Sequence, residues 1–260
     1  MSAVLKPKSS QPVRERVSRE EWQMRVDLAA AYQLAAIYKW TDLIYTHFSA
    51  RVPGSEDFLI NPYGLMFDEI NASNLVRIDA QGKVIDDPLA LGYNEAGFVI
   101  HGCMHEARPE VNCVIHTHTR AGVAVSAMKC GLLPISQHAM RVQRQCAYHD
   151  YEGIALDMSE RERMAANLGQ SSKVMILRNH GLLTLGETVR EAFELMYYLD
   201  CACQIQIDAL AAGLENVQIM SDSAAATATE QFERPDRPSS HKDWPALLRM
   251  LEHRGIDYLG

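Results

Sequence analysis

The sequence predicts an α/β protein, a three-layer α/β/α domain with a largely antiparallel central sheet. Two observations lead to this prediction. Helical and strand patterns are mixed along the chain, and several strand patterns follow one another through short turns rather than through helices. Strands joined by short turns pair antiparallel, whereas a doubly wound parallel sheet needs a crossover between its strands. The doubly wound alternative is therefore disfavoured.

The 260 residues divide into three predicted parts. Residues 1–17 are polar and basic and are expected to form a flexible N-terminal arm. Residues 18–213 carry the periodic patterns of one core domain. Residues 214–260 are a polar, proline-containing tail, expected to be loosely packed or to pack on a neighbouring subunit.

The first half of the domain begins with a helix, because Ser18 and Glu21 have the spacing of a capping box and an apolar stripe follows them. Short alternating segments bounded by turn residues come next. The predicted strands are Leu43–Arg51, Asp57–Asn61, Val76–Asp79 and Lys83–Ile85.

The second half alternates between the two periodicities. Helices are predicted over Asn94–Ala107, Thr119–Lys129 and Glu187–Ala212, the first ending before Pro109. Strands are predicted over Val111–His118, Leu132–Ser136, Lys173–Leu177 and Gly181–Leu185, the last two as antiparallel neighbours.

Composition narrows the function classes. The formal charge of -8 argues against a nucleic-acid or anionic-membrane surface. No apolar run reaches the length of about 18 residues that spans a membrane, and residues 1–16 lack a signal-peptide core. None of the six cysteines forms a CxxC pair, which is typical of free thiols in a reducing compartment. We expect a cytoplasmic protein.

The pattern with the most chemistry is His116-Thr117-His118 at the end of a predicted strand. Alternate strand residues share a face, so both imidazoles can reach one divalent ion. A third candidate ligand, His180, follows another predicted strand, and Gly181 allows a tight turn there. Taken singly, each motif is also typical of hydrogen-bonded core histidines. The two motifs together are more specific for a metal site than either motif alone.

Four segments resemble the class II aldolase/adducin domain family, which includes fuculose-phosphate aldolase and ribulose-phosphate 4-epimerase. The resemblance covers about Trp22 to Gly213. Its motifs are THFSAR (46–51), INPYGLMFDEI (60–70), HEARPEVNCVIHTHT (105–119) and LRNHGLLTLGETVREAFELMYYLD (177–200).

The resemblance implies a class II aldolase-like fold, a homo-oligomer (commonly a tetramer) and a small-molecule substrate. It identifies His116, His118 and His180 as ligands of a divalent metal, usually Zn²⁺, with Mn²⁺, Co²⁺, Fe²⁺ or Ni²⁺ as alternatives. Such a metal polarises a substrate carbonyl and stabilises an enediolate.

Two departures from the family pattern stand out. Gly97 occupies the position of the family's acid/base glutamate, and the nearest carboxylate is Glu95, an alternative catalytic residue or simply a first-turn helix carboxylate. Gly64 and Ser49 match family phosphate-binding positions, but His47 replaces an asparagine, and Glu95 would repel a phosphate. Either the substrate is an unphosphorylated hydroxylated carbonyl compound bound by His47, Ser49 and Gly64, or the site is not a substrate site.

Three further residues have open roles. Tyr151, in a predicted turn, is a candidate catalytic proton donor. His101 and His105 are four residues apart on a helix, a spacing that can bind zinc, but a surface or packing role is favoured because no acidic partner is nearby.

Two functions are compatible with these features of the sequence. One is a metal-dependent, aldehyde-lyase-like enzyme. The other is a non-catalytic, adducin-like module that keeps the fold and metal site and binds a partner protein.

Overall fold

The protein is described by a computed structural model over residues 9–153, 158–234 and 242–260. One eight-stranded sheet runs through these residues, with helices packed on both of its faces. Every strand pair in it is antiparallel except one. The predicted α/β fold with a largely antiparallel central sheet is confirmed. No helix in the described ranges is long and apolar enough to span a membrane.

The sheet has the strand order β4-β3-β2-β1-β5-β8-β7-β6, with β6 and β7 as the parallel pair. The strands are β1 His47–Arg51, β2 Phe58–Ile60, β3 Val76–Ile78, β4 Val84–Asp86, β5 Cys113–Thr117, β6 Cys146–His149, β7 Val174–Leu177 and β8 Gly181–Gly186.

The described ranges also form α-helices. They are α1 Val13–Arg16, α2 Arg19–Ile37, α3 Glu95–Ala107, α4 Arg120–Ser126, α5 Gln137–Met140, α6 Met158–Leu168, α7 Val189–Leu210, α8 Asp222–Glu233 and α9 Asp243–His253. As predicted, the Ser18 hydroxyl caps α2 by accepting a hydrogen bond from the Glu21 amide.

The two faces of the sheet are buried under different helices. Helices α2, α4, α7 and α9 cover one face in the larger core, and α3 and α6 cover the other in a smaller core. Strand β1 shows the alternation that follows from a period of two. Phe48 and Ala50 lie in the larger core, whereas His47 and Ser49 face α3.

Some predicted elements differ from the structure. Residues 132–136 are irregular rather than a strand, and β6 was not predicted, because its half-buried Cys-Ala-Tyr-His sequence shows no clear alternation. The predicted strand Leu43–Arg51 begins only at His47. Leu43 and Thr46 have positive φ values of 49° and 65°, which turn the chain before the strand.

The C-terminal residues pack on the core of their own chain. Trp244, Leu251 and Tyr258 are buried in the larger core, and the Tyr258 carbonyl accepts a hydrogen bond from the Ala72 amide. At the other end, Val13 is buried, and residues 1–8 of the predicted arm lie outside the described ranges. The three-part division of the chain and the packing on a neighbouring subunit stay predictions.

Replacing Leu251 with alanine tests the docking of α9. Because Leu251 is fully buried, we expect Leu251→Ala to lower the free energy of unfolding by about 2–5 kcal/mol in urea denaturation. Leu214, 52% exposed, provides the matched control, and Leu214→Ala should change it by less than about 0.5 kcal/mol. Equal small effects of the two substitutions would contradict the docking.

Candidate metal centre

His116 and His118 come together at the end of β5. His116 lies inside the strand and His118 follows it, so the two side chains share one face. Their ring centroids are 4.7 Å apart, and their Nε2 atoms are 2.9 Å apart. Directly after them, the Thr119 hydroxyl caps α4, which ends the strand at this point.

His180 reaches the same place from the turn between β7 and β8. Its ring centroid lies 4.8 Å from that of His116 and 4.8 Å from that of His118. One ligand nitrogen from each of the three rings lies within 4.8 Å of the others. The sequence-based expectation that these three imidazoles converge therefore agrees with the geometry.

Gly181 makes this approach of β8 to β5 sterically possible. A Cβ atom at position 181 would lie 2.5 Å from the Thr117 carbonyl oxygen and 3.0 Å from the His118 ring. Real Cβ atoms do not approach backbone oxygen so closely. Any larger residue at 181 would push β8 away from the two strand histidines.

The Nδ1 atoms of His116 and His118 each lie within hydrogen-bonding distance of an acceptor oxygen. His116 Nδ1 lies 2.9 Å from the Leu182 carbonyl oxygen, and His118 Nδ1 lies 2.9 Å from Asp42 Oδ2. A carbonyl or carboxylate oxygen only accepts, so each Nδ1 carries the hydrogen. The sequence gives no sign of Asp42 as a site residue, because it lies in a turn with no periodicity to mark it.

This pairing leaves two lone pairs facing each other. In the neutral Nδ1–H tautomers, both Nε2 atoms carry a lone pair, and at 2.9 Å they repel unless a positive charge lies between them. Burial and the neighbouring imidazoles lower the pKa of His116 well below its ordinary value, and burial lowers the pKa of His180 to about 4. A set of three imidazole nitrogens at this spacing fits a divalent cation such as Zn²⁺.

His47 lies beside the cluster on the neighbouring strand. It is the register partner of His116 across β1 and β5, with ring centroids 5.4 Å apart. Its ring packs against α3, where a Cβ at Gly97 would lie 2.7 Å from three ring atoms. Burial lowers the pKa of His47 to about 3. Neither ring nitrogen makes a hydrogen bond of ordinary geometry within the described residues.

Ser49 lies behind His47, away from the three-histidine cluster. Its hydroxyl is 2.7 Å from His101 Nδ1 and 2.9 Å from His105 Nε2. His101 and His105 are both buried, so of the two favoured roles, surface or packing, the pair has the packing role. The Ser49 side chain is thus hydrogen bonded within the protein, and its role in substrate binding stays a prediction.

The other predicted site residues lie at different distances from the cluster. Tyr151 is 55% exposed, and its ring centroid is 6.3 Å from that of His180. Glu95 is exposed at the start of α3, in an open groove with Arg51 and Arg161. Gly64 has φ +101° in an exposed loop. Within the described residues, no hydrogen bond, ion pair or ring contact joins Glu95 or Gly64 to the cluster.

Comparison with known proteins finds the same fold and several relatives. Residues 26–207 match the family described as class II aldolase and adducin N-terminal domain. A crystal structure of an aldolase II superfamily protein from Pseudomonas syringae is 55% identical with a TM-score of 0.91, covering 95% of this chain and 99% of that one.

Two further relatives are an aldolase of known structure and an adducin. The structure of L-fuculose 1-phosphate aldolase from Glaciozyma antarctica PI12 is 28% identical with a TM-score of 0.81, covering 93% of each chain. Alpha-adducin of Rattus norvegicus is 43% identical over 245 residues, which are 89% of this chain and 33% of that protein.

Removing the Asp42 carboxylate tests its role in orienting His118. We expect Asp42→Ala to weaken Zn²⁺ affinity by about 10–100-fold, measured by competition with a chelating dye, because partners of ligand histidines fix their tautomer and orientation. Asp42→Asn keeps an acceptor and should have a smaller effect.

The control for this prediction is Asp208→Ala, since Asp208 is an exposed carboxylate on α7. Its Zn²⁺ affinity should equal that of the wild type. If Asp42→Ala binds Zn²⁺ as tightly as Asp208→Ala, the carboxylate has no part in the centre.

Proposed function

The chain belongs to the class II aldolase and adducin family, and from this premise we propose that it is a metal-dependent, aldehyde-lyase-like enzyme. Its substrate in this proposal is a small, unphosphorylated, hydroxylated carbonyl compound. The observation that carries the proposal is the convergence of three imidazoles, two of them with their Nδ1 atoms fixed by acceptors.

His116, His118 and His180 would hold the divalent ion, with Zn²⁺ as the first choice. Three protein ligands leave a coordination position for substrate, which is typical of catalytic rather than structural zinc sites. The ion would supply Lewis-acid polarisation of a substrate carbonyl. Asp42 and the Leu182 carbonyl would keep the lone pairs of the two strand imidazoles directed inward.

The surroundings of the cluster favour an uncharged substrate over a phosphate ester. His47, the nearest further imidazole, is held neutral by burial, with its pKa lowered to about 3. Asp42 adds a negative charge 2.9 Å from His118. A phosphate dianion beside these groups would gain no charge-assisted hydrogen bond from His47 and would be repelled by Asp42.

Because Gly97 has no side chain, the group that transfers the proton must lie elsewhere in the site. Tyr151 is the proposed proton donor, because its ring lies next to His180 and is accessible from solvent. Glu95 remains the proposed alternative acid/base residue. Its exposed position at the start of α3 means that it would act only if the helix end rearranged on substrate binding.

The second candidate function is a non-catalytic, adducin-like protein-interaction module. Two observations favour it. One is the similarity to alpha-adducin. The other is the position of the His47 ring, which would lie 2.7 Å from a Cβ atom at position 97 and so occupies the space that a side chain there would need. A partner that still binds after His116→Ala would support this function. Catalysis that requires His116 would support the enzyme.

We further propose that the protein is a cytoplasmic homo-oligomer, a tetramer if it follows the family. All six cysteines are free thiols, as expected in a reducing compartment. The exposed apolar side chains of Leu43 and Tyr45, next to Asp42, are suited to burial in such an assembly.

Metal content tests the proposed ligand set. We expect the purified wild-type protein to carry about one divalent ion per chain by mass spectrometry, and His180→Ala to lose most of it, because two imidazoles alone hold zinc weakly. His253→Ala, at an exposed histidine on α9, should keep the wild-type content. Equal metal in the two variants would rule out His180 as a ligand.

Turnover tests the proposed reaction. Protein loaded with Zn²⁺, Mn²⁺ or Co²⁺ should release an aldehyde from an unphosphorylated ketose or hydroxyketone more readily than from its phosphate ester. This follows because His47 and Asp42 offer a phosphate no positive charge. Absence of turnover across a broad panel, with metal confirmed in the protein, would favour the interaction module instead.

A further inference from the structure

Helix α4 connects the two halves of the metal centre. It begins directly after His118, where the Thr119 hydroxyl caps it. It ends at Ser126, and the chain just beyond that end lies beside the turn that carries His180. An α-helix rises by about 1.5 Å per residue, so its two ends keep a constant separation. A contact between the end of α4 and the turn therefore links His180 to His118.

Two hydrogen bonds bind the turn to the end of α4. Arg178 donates from Nη1 to the Met128 carbonyl oxygen, 2.7 Å away. The Asn179 amide donates to the Ser126 carbonyl oxygen at 3.4 Å. The Arg178 hydrogen bond is the stronger of the two, because it is short and because a charged donor roughly doubles the strength of a hydrogen bond.

Arg178 is also held from the side of β6. Its Cζ atom lies 4.3 Å from the centroid of the Tyr148 ring, which is within the range of a cation–π contact. Its backbone amide donates to the His149 carbonyl oxygen at 2.8 Å and extends the parallel pairing of β6 with β7. The backbone and the guanidinium of Arg178 are therefore both fixed against neighbouring elements.

The turn between β7 and β8 is tight and contains one left-handed residue. The His180 amide donates to the Leu177 carbonyl oxygen at 3.1 Å, which closes a β-turn of four residues. The third of them, Asn179, has a φ of 57°, a conformation that asparagine adopts more readily than most residues with a side chain. Since His180 follows Asn179 directly, the backbone of this turn sets the direction of its imidazole.

We propose that Arg178 is a positioning residue of the metal centre, which holds the turn on the end of α4 and so fixes His180 relative to His118. Arg178 acts through the backbone of the turn rather than as a ligand. Ordering a mobile turn when an ion binds costs conformational entropy, so a turn that is fixed beforehand gives a higher affinity. This inference rests on the proposed ligand set for the identity of the bound ion.

Zinc affinity tests the proposal. Arg178→Met keeps an unbranched side chain and removes the charge and the donors. We expect the folded variant to bind Zn²⁺ about 10–100-fold more weakly than the wild type, in competition with a chelating dye, as when other outer partners of metal ligands are removed. Arg178→Lys keeps a cation and should bind Zn²⁺ more tightly than Arg178→Met. An unchanged affinity in Arg178→Met would overturn the inference.

Arg108 provides the matched control, because its guanidinium binds the chain just beyond another helix. Its Nη1 donates to the carbonyl oxygens of Gly169, at 3.3 Å, and Ser172, at 3.0 Å, after the end of α6. Arg108 lies before the start of β5, whereas His118 follows the end of that strand.

Arg108→Met separates positioning from general stability. Because Arg108 is buried, this variant should lower the urea midpoint of unfolding at least as much as Arg178→Met. Its affinity for Zn²⁺ should equal that of the wild type. If the two variants lose zinc affinity equally, the effect is general damage to the fold and the inference is overturned.

Hydrogen exchange in the metal-free protein separates this inference from the proposed function. We expect the His180 amide to exchange about tenfold faster in metal-free Arg178→Met than in the metal-free wild type, because the turn opens locally. The rate is taken relative to that of the Leu183 amide, which lies within β8 and reports the stability of the sheet. An unchanged relative rate would overturn the inference. A faster rate in a protein whose wild type binds no Zn²⁺ would count against the proposed function alone.

Discussion

The Nε2 atoms of His116 and His118 lie 2.9 Å apart although both imidazoles have their Nδ1 hydrogen committed to an acceptor. Two lone pairs at this distance are tolerated only with a positive charge between them. Burial lowers the pKa of His116 well below its ordinary value, so His116 Nε2 keeps its lone pair, and the charge that we propose between the two nitrogens is a metal ion. The proposed metal, the open position beside it and the role of the surrounding residues all follow from this electrostatic constraint.

The fold keeps the two imidazoles in this arrangement through backbone geometry. The antiparallel register of β5 and β8 brings the Leu182 carbonyl to His116, and Gly181 lets the turn that carries His180 approach β5. A turn with left-handed residues at Leu43 and Thr46 brings Asp42 to His118. Positive φ values in such residues are costly, and they recur where the surrounding structure over-determines the backbone, often at functional sites.

The sequence predicts the parts of the site that depend on local periodicity. The alternation in β5 places His116 and His118 on one face, and the motif around His180 supplies the third imidazole. Asp42, His47 and the His101–Ser49–His105 chain depend on tertiary contacts between β1, α3 and the preceding turn. No single segment contains both partners of these contacts, so the pairing is visible only in the fold. The irregular stretch 132–136 shows the same limit, because Leu132 packs in the larger core without joining the sheet.

X-ray absorption at the zinc edge of the purified, zinc-loaded protein tests the central claim most directly. The proposed ligand set predicts three imidazole nitrogens at about 2.0–2.1 Å and one further oxygen ligand from solvent or substrate. A sulfur ligand at about 2.3 Å, or a spectrum unchanged by His116→Ala, would contradict the assignment of the ion to the three converging imidazoles.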